Sequence, residues 1–302
     1  MQTLGRASFE RDVISEALLK ARKTLDALRR YEPSHIPLFQ RVVIELQSHC
    51  NRDCFFCPRE SDRTGKRKTA EGASIRQSLS TEKVFSILDE LEALEFRGYI
   101  TFHQLSEAFL DPRLMSVAKD TKRRGMKPYV HTNGDVLRND EPLCREAADV
   151  FEYIVVGLYD YTSEEEKIAE KKFWKQRLQG TEVLFSLVEN VHVRTHGPAN
   201  EEMRRLVRRT YPTSPCAQPR TYLLIHYDGD ACCCCEDMQG ELLNYNVHEM
   251  SIRDIWYSER HTDVIRELRI GDRRQYDLCA NCTMGPSRDS WNPRRAIRHF
   301  DR

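Results

Sequence analysis

From residue 42 to 188 the chain alternates between short apolar runs and longer amphipathic ones, and this limits the fold more than any other feature. VVIEL (42–46), YITFHQL (99–105), KPYVHTNG (127–134), YIVVGLY (153–159) and EVLFSLV (182–188) have the length and residue types of strands. Helical patterns separate them. STEKVFSILDELEAL (80–94) places Val84, Ile87, Leu88, Leu91 and Leu94 on one face behind Ser80 as N-cap, and PRLMSVAKDTKRRG (112–125) is closed by Gly125. DEPLCREAAD (140–149) and SEEEKIAEKKFWKQRL (163–178) supply two more helices. Repeated strand–helix units imply parallel strands joined by right-handed crossovers. Five or six units are too few to close an eight-stranded barrel, so a partial barrel or an open doubly wound sheet is expected. Both geometries put chemistry at the C-terminal strand ends. Those ends carry the cysteines of 50–57, Ser106-Glu107, His131-Thr132-Asn133 and Tyr159-Asp160.

The alternation stops near residue 206. YLLIHYDGDACCCC reads as a β-hairpin turning at Asp228-Gly229, followed by the helix SIRDIWYSERHTDVIRELRIG and then LCANC. The sequence thus predicts three parts: an amphipathic helical extension over 1–39, the α/β body over 40–205, and a small separate domain over 206–302. The polar stretch 60–78 reads as a solvated loop or as a lid over a site at the first strand end. With 47 basic and 47 acidic residues there is no basic footprint of a nucleic-acid binder. No apolar run has transmembrane length, and the N-terminus is too charged for a signal peptide. A cytoplasmic protein with neither nucleic acid nor membrane as partner is expected.

Eleven cysteines are many for a chain in a reducing compartment, where metal or redox chemistry is their natural use. They are clustered. Cys50, Cys54 and Cys57 follow the first strand, Cys232 to Cys235 form an unbroken run, and Cys216, Cys279 and Cys282 flank it. Cys144, alone in mid-helix, reads as core. Three thiols on one loop fit a zinc half-site, a redox trap or the incomplete cage of an iron–sulfur cluster. Structural zinc wants four protein ligands, and a [4Fe–4S] cluster normally takes four thiolates. Three would leave one iron open to an exogenous ligand. In the second group, CxxC behind a cysteine-bearing hairpin is a strong metal signature, satisfied equally by zinc or by a cluster. In a strand, alternate side chains share a face, so Cys232 and Cys234 are expected opposite Cys233 and Cys235.

The spacing CxxxCxxC, its place after the first strand and the aromatic Phe56 before the third cysteine resemble the radical S-adenosylmethionine (SAM) superfamily. The resemblance implies a partial (β/α)6 TIM-like barrel. It also implies a [4Fe–4S] cluster on Cys50, Cys54 and Cys57 whose fourth iron binds SAM and cleaves it to a 5′-deoxyadenosyl radical. Phe56 would lie against the adenine. Leu105-Ser106-Glu107-Ala108 aligns with the family's GGEP motif; it lacks the glycines and the proline but keeps in Glu107 the carboxylate for the SAM amino group. His131, Thr132 and Asn133 resemble the family's TNG strand end, which also meets SAM. Gly229, Cys234, the stretch 244–256 and LCANC resemble the SPASM/twitch extension, in the shorter form. That form carries one auxiliary [4Fe–4S] cluster, here on Cys216, Cys234, Cys279 and Cys282.

In layout the chain is similar to 2-deoxy-scyllo-inosamine dehydrogenases and antibiotic-sugar epimerases within that superfamily. The first group implies oxidation of a carbinol to a ketone, with the auxiliary cluster as electron acceptor. The second implies inversion of a carbon centre with a cysteine as hydrogen donor, for which Cys232, Cys233 and Cys235 are candidates. Peptide-modifying members are a third possibility. The expectation is hydrogen abstraction from a sugar or cyclitol in antibiotic biosynthesis, with oxidation ahead of epimerisation and a flavodoxin or ferredoxin as electron donor. His103, Arg59 and Tyr159, at predicted strand mouths, are candidates for substrate contact or for the base.

Overall fold

A computed structural model describes residues 14–24, 36–54, 56–57, 76–187, 210–237 and 240–285. Arg59 and most of the 60–78 loop, and with it any lid, lie outside the described residues. Strand β1 (Arg41–Ile44) leads to the cysteine loop and then to helix α1 (Thr81–Ala93), capped as expected by Ser80 accepting from the Lys83 amide. There follow β2 (Tyr99–Thr101), α2 (Leu114–Arg123), β3 (Lys127–Pro128), β4 (Val130–Thr132), α3 (Asp135–Arg138) and α4 (Glu141–Val150). The body ends with β5 (Tyr153–Leu158), α5 (Glu164–Arg177) and β6 (Glu182–Leu187). A capping box between Ser163 and Glu166 opens α5.

Beyond residue 210 lie α6 (Gln218–Thr221), β7 (Tyr222–Ile225), β8 (Asp230–Cys232), β9 (Tyr245–Asn246), α7 (Ile252–Trp256), α8 (Glu259–Ile270) and α9 (Asp277–Ala280). The segment from 206, expected as a separate domain, is joined to the main sheet through β7. β7 pairs parallel to β1 over four residues, Arg41↔Tyr222 to Ile44↔Ile225, and so belongs to the main sheet. YLLI is buried on both faces, which suits a covered parallel strand rather than an edge hairpin. β8 and β9 then add antiparallel beyond it.

The parallel strands run β7-β1-β2-β3, and then β4-β5-β6 as a second sheet. The predicted strand 127–134 is divided between them: β3 pairs with β2 and β4 pairs with β5. Pro128, which has no amide hydrogen, sits at the break, and Tyr129 bridges it by donating its amide to Ile100 at 2.8 Å. Six parallel strand positions result, as a partial barrel requires.

Alternation along these strands sorts side chains into an outer core and a lumen. Val42, Ile44, Ile100, Val130, Ile154, Val156, Leu223 and Ile225 face the helices and form the main core. The lumen carries instead Val43, Tyr222 and Leu224, and opposite them Tyr129, Tyr153, Val155 and Leu184. Its floor is aromatic, with Tyr129 stacked on Tyr153 at 4.7 Å and the half-buried Arg41 guanidinium 4.1 Å from the Tyr222 ring. Residues 14–24 are helical and dock on the C-terminal part, through an ion pair of Lys23 with Asp272. No helix among the described residues is long and apolar enough to cross a membrane.

Candidate active site

At the C-terminal ends of the strands the lumen opens into a cavity of about 310 Å³. Cys50, Cys54, Cys57 and Phe56 line one side, and Glu107, Thr132 and Asn133 continue the wall. His103, His131, Tyr159 and Cys235 also line it. Cys232 and Cys233 do not. The cavity further includes Arg52, Gln104, Gly157, Ser186 and Glu236, which the sequence reading did not single out. Ser186 was within reach of that reading, because it shares the inward phase of β6 with Leu184.

The cysteine loop is held from both flanks. Cys57 donates its amide to the Cys54 carbonyl at 2.8 Å, closing a tight turn. Arg52, between the first two cysteines, reaches Asp135 through Nε at 2.7 Å and through a second nitrogen, and reaches Asp160 at 2.6 Å. The loop is thereby clamped to the ends of β4 and β5. Asn133 donates to Asn51 at 2.8 Å and places its amide 4.0 Å from the Cys50 sulfur. Phe56 meets the Tyr159 ring edge-on at 4.8 Å. Gly157 makes room for that ring, since a Cβ there would stand 2.3 Å from it.

Glu107 is buried, and both its oxygens are engaged. Oε1 accepts from the Thr132 hydroxyl at 2.8 Å and the Phe109 amide at 3.2 Å, while Oε2 accepts from the Asn133 amide at 2.8 Å. It caps the short 3₁₀ turn 108–110 and ties it to the end of β4. Burial raises its carboxyl above the ordinary range, against these three donors. A carboxylate has about four lone-pair sites, so Oε2 retains capacity for one further donor.

The cysteine run does not follow the expected alternation. β8 ends at Cys232, and residues 233–236 turn. Cys232 packs in the lumen with Val43, Tyr222 and Leu224, and Cys235 lies against the same group. Cys233 and Cys234 instead join the outer core with Cys279 and Cys216. A turn replaces the period of two, so the pairs are 232 with 235 and 233 with 234. Cys144 is fully buried, its thiol donating to the Leu137 carbonyl at 3.0 Å.

Both thiol groups suit iron–sulfur clusters. Burial, and then the neighbouring Cys57 and Cys50, push the Cys54 thiol up to about 11, with Arg52 acting in the opposite direction. Cys282 is raised to about 11 mainly by burial, and Cys279 is raised by burial and by Cys216 and Cys282. Backbone amides point at two of the sulfurs, Glu236 N–H at Cys234 and Met284 N–H at Cys282, both at 3.4 Å. Such donors stabilise the thiolates of a cluster and tune its potential. Among the described residues no three His, Cys, Asp or Glu side chains close on one point as ligands of a single ion do. The thiolates of a four-iron cube bind different irons and stand farther apart.

Comparison with known proteins agrees with this geometry. Residues 216–283 match the SPASM family, described as an iron–sulfur cluster-binding domain. Over 257 residues, 81% of this chain and 93% of the relative, the sequence is 25% identical to the S-adenosyl-L-methionine-dependent 2-deoxy-scyllo-inosamine dehydrogenase of Niallia circulans. The crystal structure of BtrN in complex with AdoMet and 2-DOIA superposes with a TM-score of 0.65 at 20% identity, covering 84% of this chain and 97% of BtrN. SuiB of Streptococcus suis bound to S-adenosylmethionine gives 0.52 at 13% identity, covering 94% of this chain and 83% of SuiB. The radical SAM resemblance read from CxxxCxxC is borne out in fold and domain content: a partial barrel with a SPASM domain built onto its first-strand edge.

Proposed function

We propose that the protein is a SAM-dependent radical oxidoreductase that takes the carbinol hydrogen from an aminocyclitol-like small molecule and releases the ketone. One observation carries this reading: a single cavity joins the three-cysteine loop, a hydrogen-bonding lumen of His103, Gln104, His131 and Ser186, and the Cys235-Glu236 turn of the SPASM domain. In this reading Cys50, Cys54 and Cys57 hold the SAM-binding [4Fe–4S] cluster, and Cys216, Cys234, Cys279 and Cys282 hold the auxiliary one. When bound, the first cluster and SAM supply a carbon radical able to break an unactivated C–H bond. The chain's part is to orient and shield. Phe56, braced by Tyr159, offers a face to the adenine, and Glu107 with the 131–133 strand end closes the wall beside it. A cluster bound at Cys234 would be the electron acceptor, and the residues that follow it, Cys235 and Glu236, line the lumen cavity. A low-potential donor of flavodoxin or ferredoxin type supplies the first electron. The curated relative acts on 2-deoxy-scyllo-inosamine, which makes that compound the natural first substrate to try.

The test is anaerobic reconstitution, iron and sulfide counting, and SAM cleavage with 2-deoxy-scyllo-inosamine. About eight irons per chain and a product two hydrogens lighter support the reading. No iron, or no SAM cleavage with any reductant, sinks it.

A second reading is favoured by one residue. Cys235 is a thiol in the cavity wall, with Gln104 donating to its carbonyl at 3.0 Å. If it gives a hydrogen atom to the substrate radical, the product is an epimer of unchanged composition. Turnover in D2O separates the two. One deuterium gained, and lost again in Cys235→Ala, indicates epimerisation; a ketone formed equally by Cys235→Ala indicates oxidation.

A further inference from the structure

We infer that His103 is the base that removes the hydroxyl proton of the substrate radical, its ring set for that role by Thr101 and by the stacked ring of His131. The inference rests on the oxidative reading above. It starts from a juxtaposition invisible along the chain. His103 follows β2 and His131 lies on β4, yet their imidazoles stack in the cavity with centroids 4.6 Å apart and planes 26° from parallel. His103 Nδ1 lies 2.9 Å from the buried hydroxyl of Thr101, on the inward face of β2. Tyr129 meets His131 edge-on at 5.9 Å, so the pair stands on the aromatic floor of the lumen.

The chemistry requires a base at this place. Loss of the carbinol hydrogen atom leaves a carbon radical that still carries O–H. Loss of the O–H proton converts it to a ketyl anion, a far stronger reductant, which becomes the ketone on losing one electron; a cluster held by Cys216, Cys234, Cys279 and Cys282 would be the acceptor of that electron. The balance is one hydrogen atom to the adenosyl carbon, one proton to the base and one electron to the cluster.

The ionisable groups of the wall other than the two histidines suit the task less well, and of the histidines His103 is the one whose ring is set by the Thr101 hydroxyl. Glu107 already receives three donors, and Arg52 is a cation held by two carboxylates. Thiols and phenols keep their protons near neutral pH, and carboxylates as a class are weaker bases than imidazole by about two pKa units. A general base works best when its own pKa lies near the working pH, which selects histidine. In the tautomer whose Nδ1–H donates to the Thr101 oxygen, 2.9 Å away, Nε2 is the nitrogen left to receive the proton. The imidazolium so formed keeps the Thr101 bond, and its ring stays stacked on that of His131.

The experiment uses reconstituted enzyme and 2-deoxy-scyllo-inosamine deuterated at the reacting carbon. In the parent, deuterium appears in 5′-deoxyadenosine and ketone forms with it. In His103→Gln the deuterium transfer persists, ketone per transferred deuterium falls on the order of 100-fold, and a substrate-centred radical accumulates in the electron paramagnetic resonance spectrum. His103→Ala with added imidazole regains ketone formation. Ketone per deuterium within about threefold of the parent in His103→Gln, or loss of deuterium transfer in a variant with full iron content, overturns the assignment. If His103→Gln does not fold, failure of imidazole to restore His103→Ala overturns it instead. Absence of deuterium transfer in the parent strikes the oxidative reading itself, and is thereby distinguished.

Discussion

Replacing Glu107 by Gln separates two roles that one carboxylate can hold at once. Three donors converge on its two oxygens, from Thr132, Phe109 and Asn133. An amide presents an N–H2 in place of one oxygen, so in either flip it turns that N–H2 toward a backbone N–H, of Phe109 or of Asn133. The Thr132 hydroxyl can rotate; the backbone cannot. One charge-assisted bond is lost, at about 1.5–3 kcal/mol. Against this, the amide escapes the burial that raises the carboxyl. The two effects oppose, and a net loss of about 1 kcal/mol is expected, or a Tm lower by about 2–4 °C. The sign with pH follows from the raised carboxyl. Its contribution is full below the ordinary carboxylate value and declines as pH rises toward the folded-state value, so the deficit of Glu107→Gln is widest in acid and narrows upward. If Oε2 also takes the SAM ammonium, the same variant weakens SAM binding by about 10- to 100-fold. Scanning calorimetry and equilibrium dialysis of the reconstituted protein measure the two. A lower Tm with unchanged SAM affinity leaves a clamp and removes the ligand role. An unchanged Tm and affinity refute the reasoning altogether.

Three other substitutions probe the surroundings. Gly157→Ala drives a Cβ to 2.3 Å from the Tyr159 ring; an overpacking cost of about 1–3 kcal/mol and weaker SAM binding, through the displaced Tyr159–Phe56 contact, are read by thermal melting and dialysis. Arg52→Met releases the cysteine loop from Asp135 and Asp160, at about 1 kcal/mol for a half-exposed pair. Because the Arg52 hydrogen bonds lower the Asp135 carboxyl, this stabilisation is present above the ordinary Asp value and lost as pH falls through the folded-state one. Urea midpoints of parent and Arg52→Met should therefore differ at pH 7 and converge toward pH 3. Gly229→Ala forces a side chain to φ +90 and to 2.6 Å from Asn246 in the β7–β8 turn. A loss of about 1–2 kcal/mol is expected, with no change at the three-cysteine loop by SAM binding.

What the sequence disclosed, and what it hid, divides along one physical line. The cysteine loop, Phe56 and the capping of α1 by Ser80 are local: spacing and residue type decide them within a few positions, and the structure has them where they were expected. β7 was hidden because YLLI before a DG turn is equally the first arm of a hairpin and a buried parallel strand. Only its partner, β1, distinguishes these, and β1 lies about 180 residues earlier. The His103–His131 stack was hidden for the same reason, since it depends on which strands stand side by side. Glu107 was legible as a carboxylate at a strand end, but not as one already occupied by donors from β4.

The run of four cysteines shows how far a local rule carries. A period of two holds only while the backbone is extended. β8 ends at Cys232, where Leu224 of β7 is its partner, and the turn that follows rotates the next residues out of phase. That turn serves both sides of the molecule. It sends Cys234 toward Cys216, with the Glu236 amide on its sulfur, and it sends Cys235 and the Glu236 side chain into the cavity wall. Two consecutive residues thus face the two chemical centres of the proposed reaction, joined by a single peptide. In the proposed reaction, the turn that would carry the auxiliary cluster's ligand Cys234 is part of the cavity wall through Cys235 and Glu236.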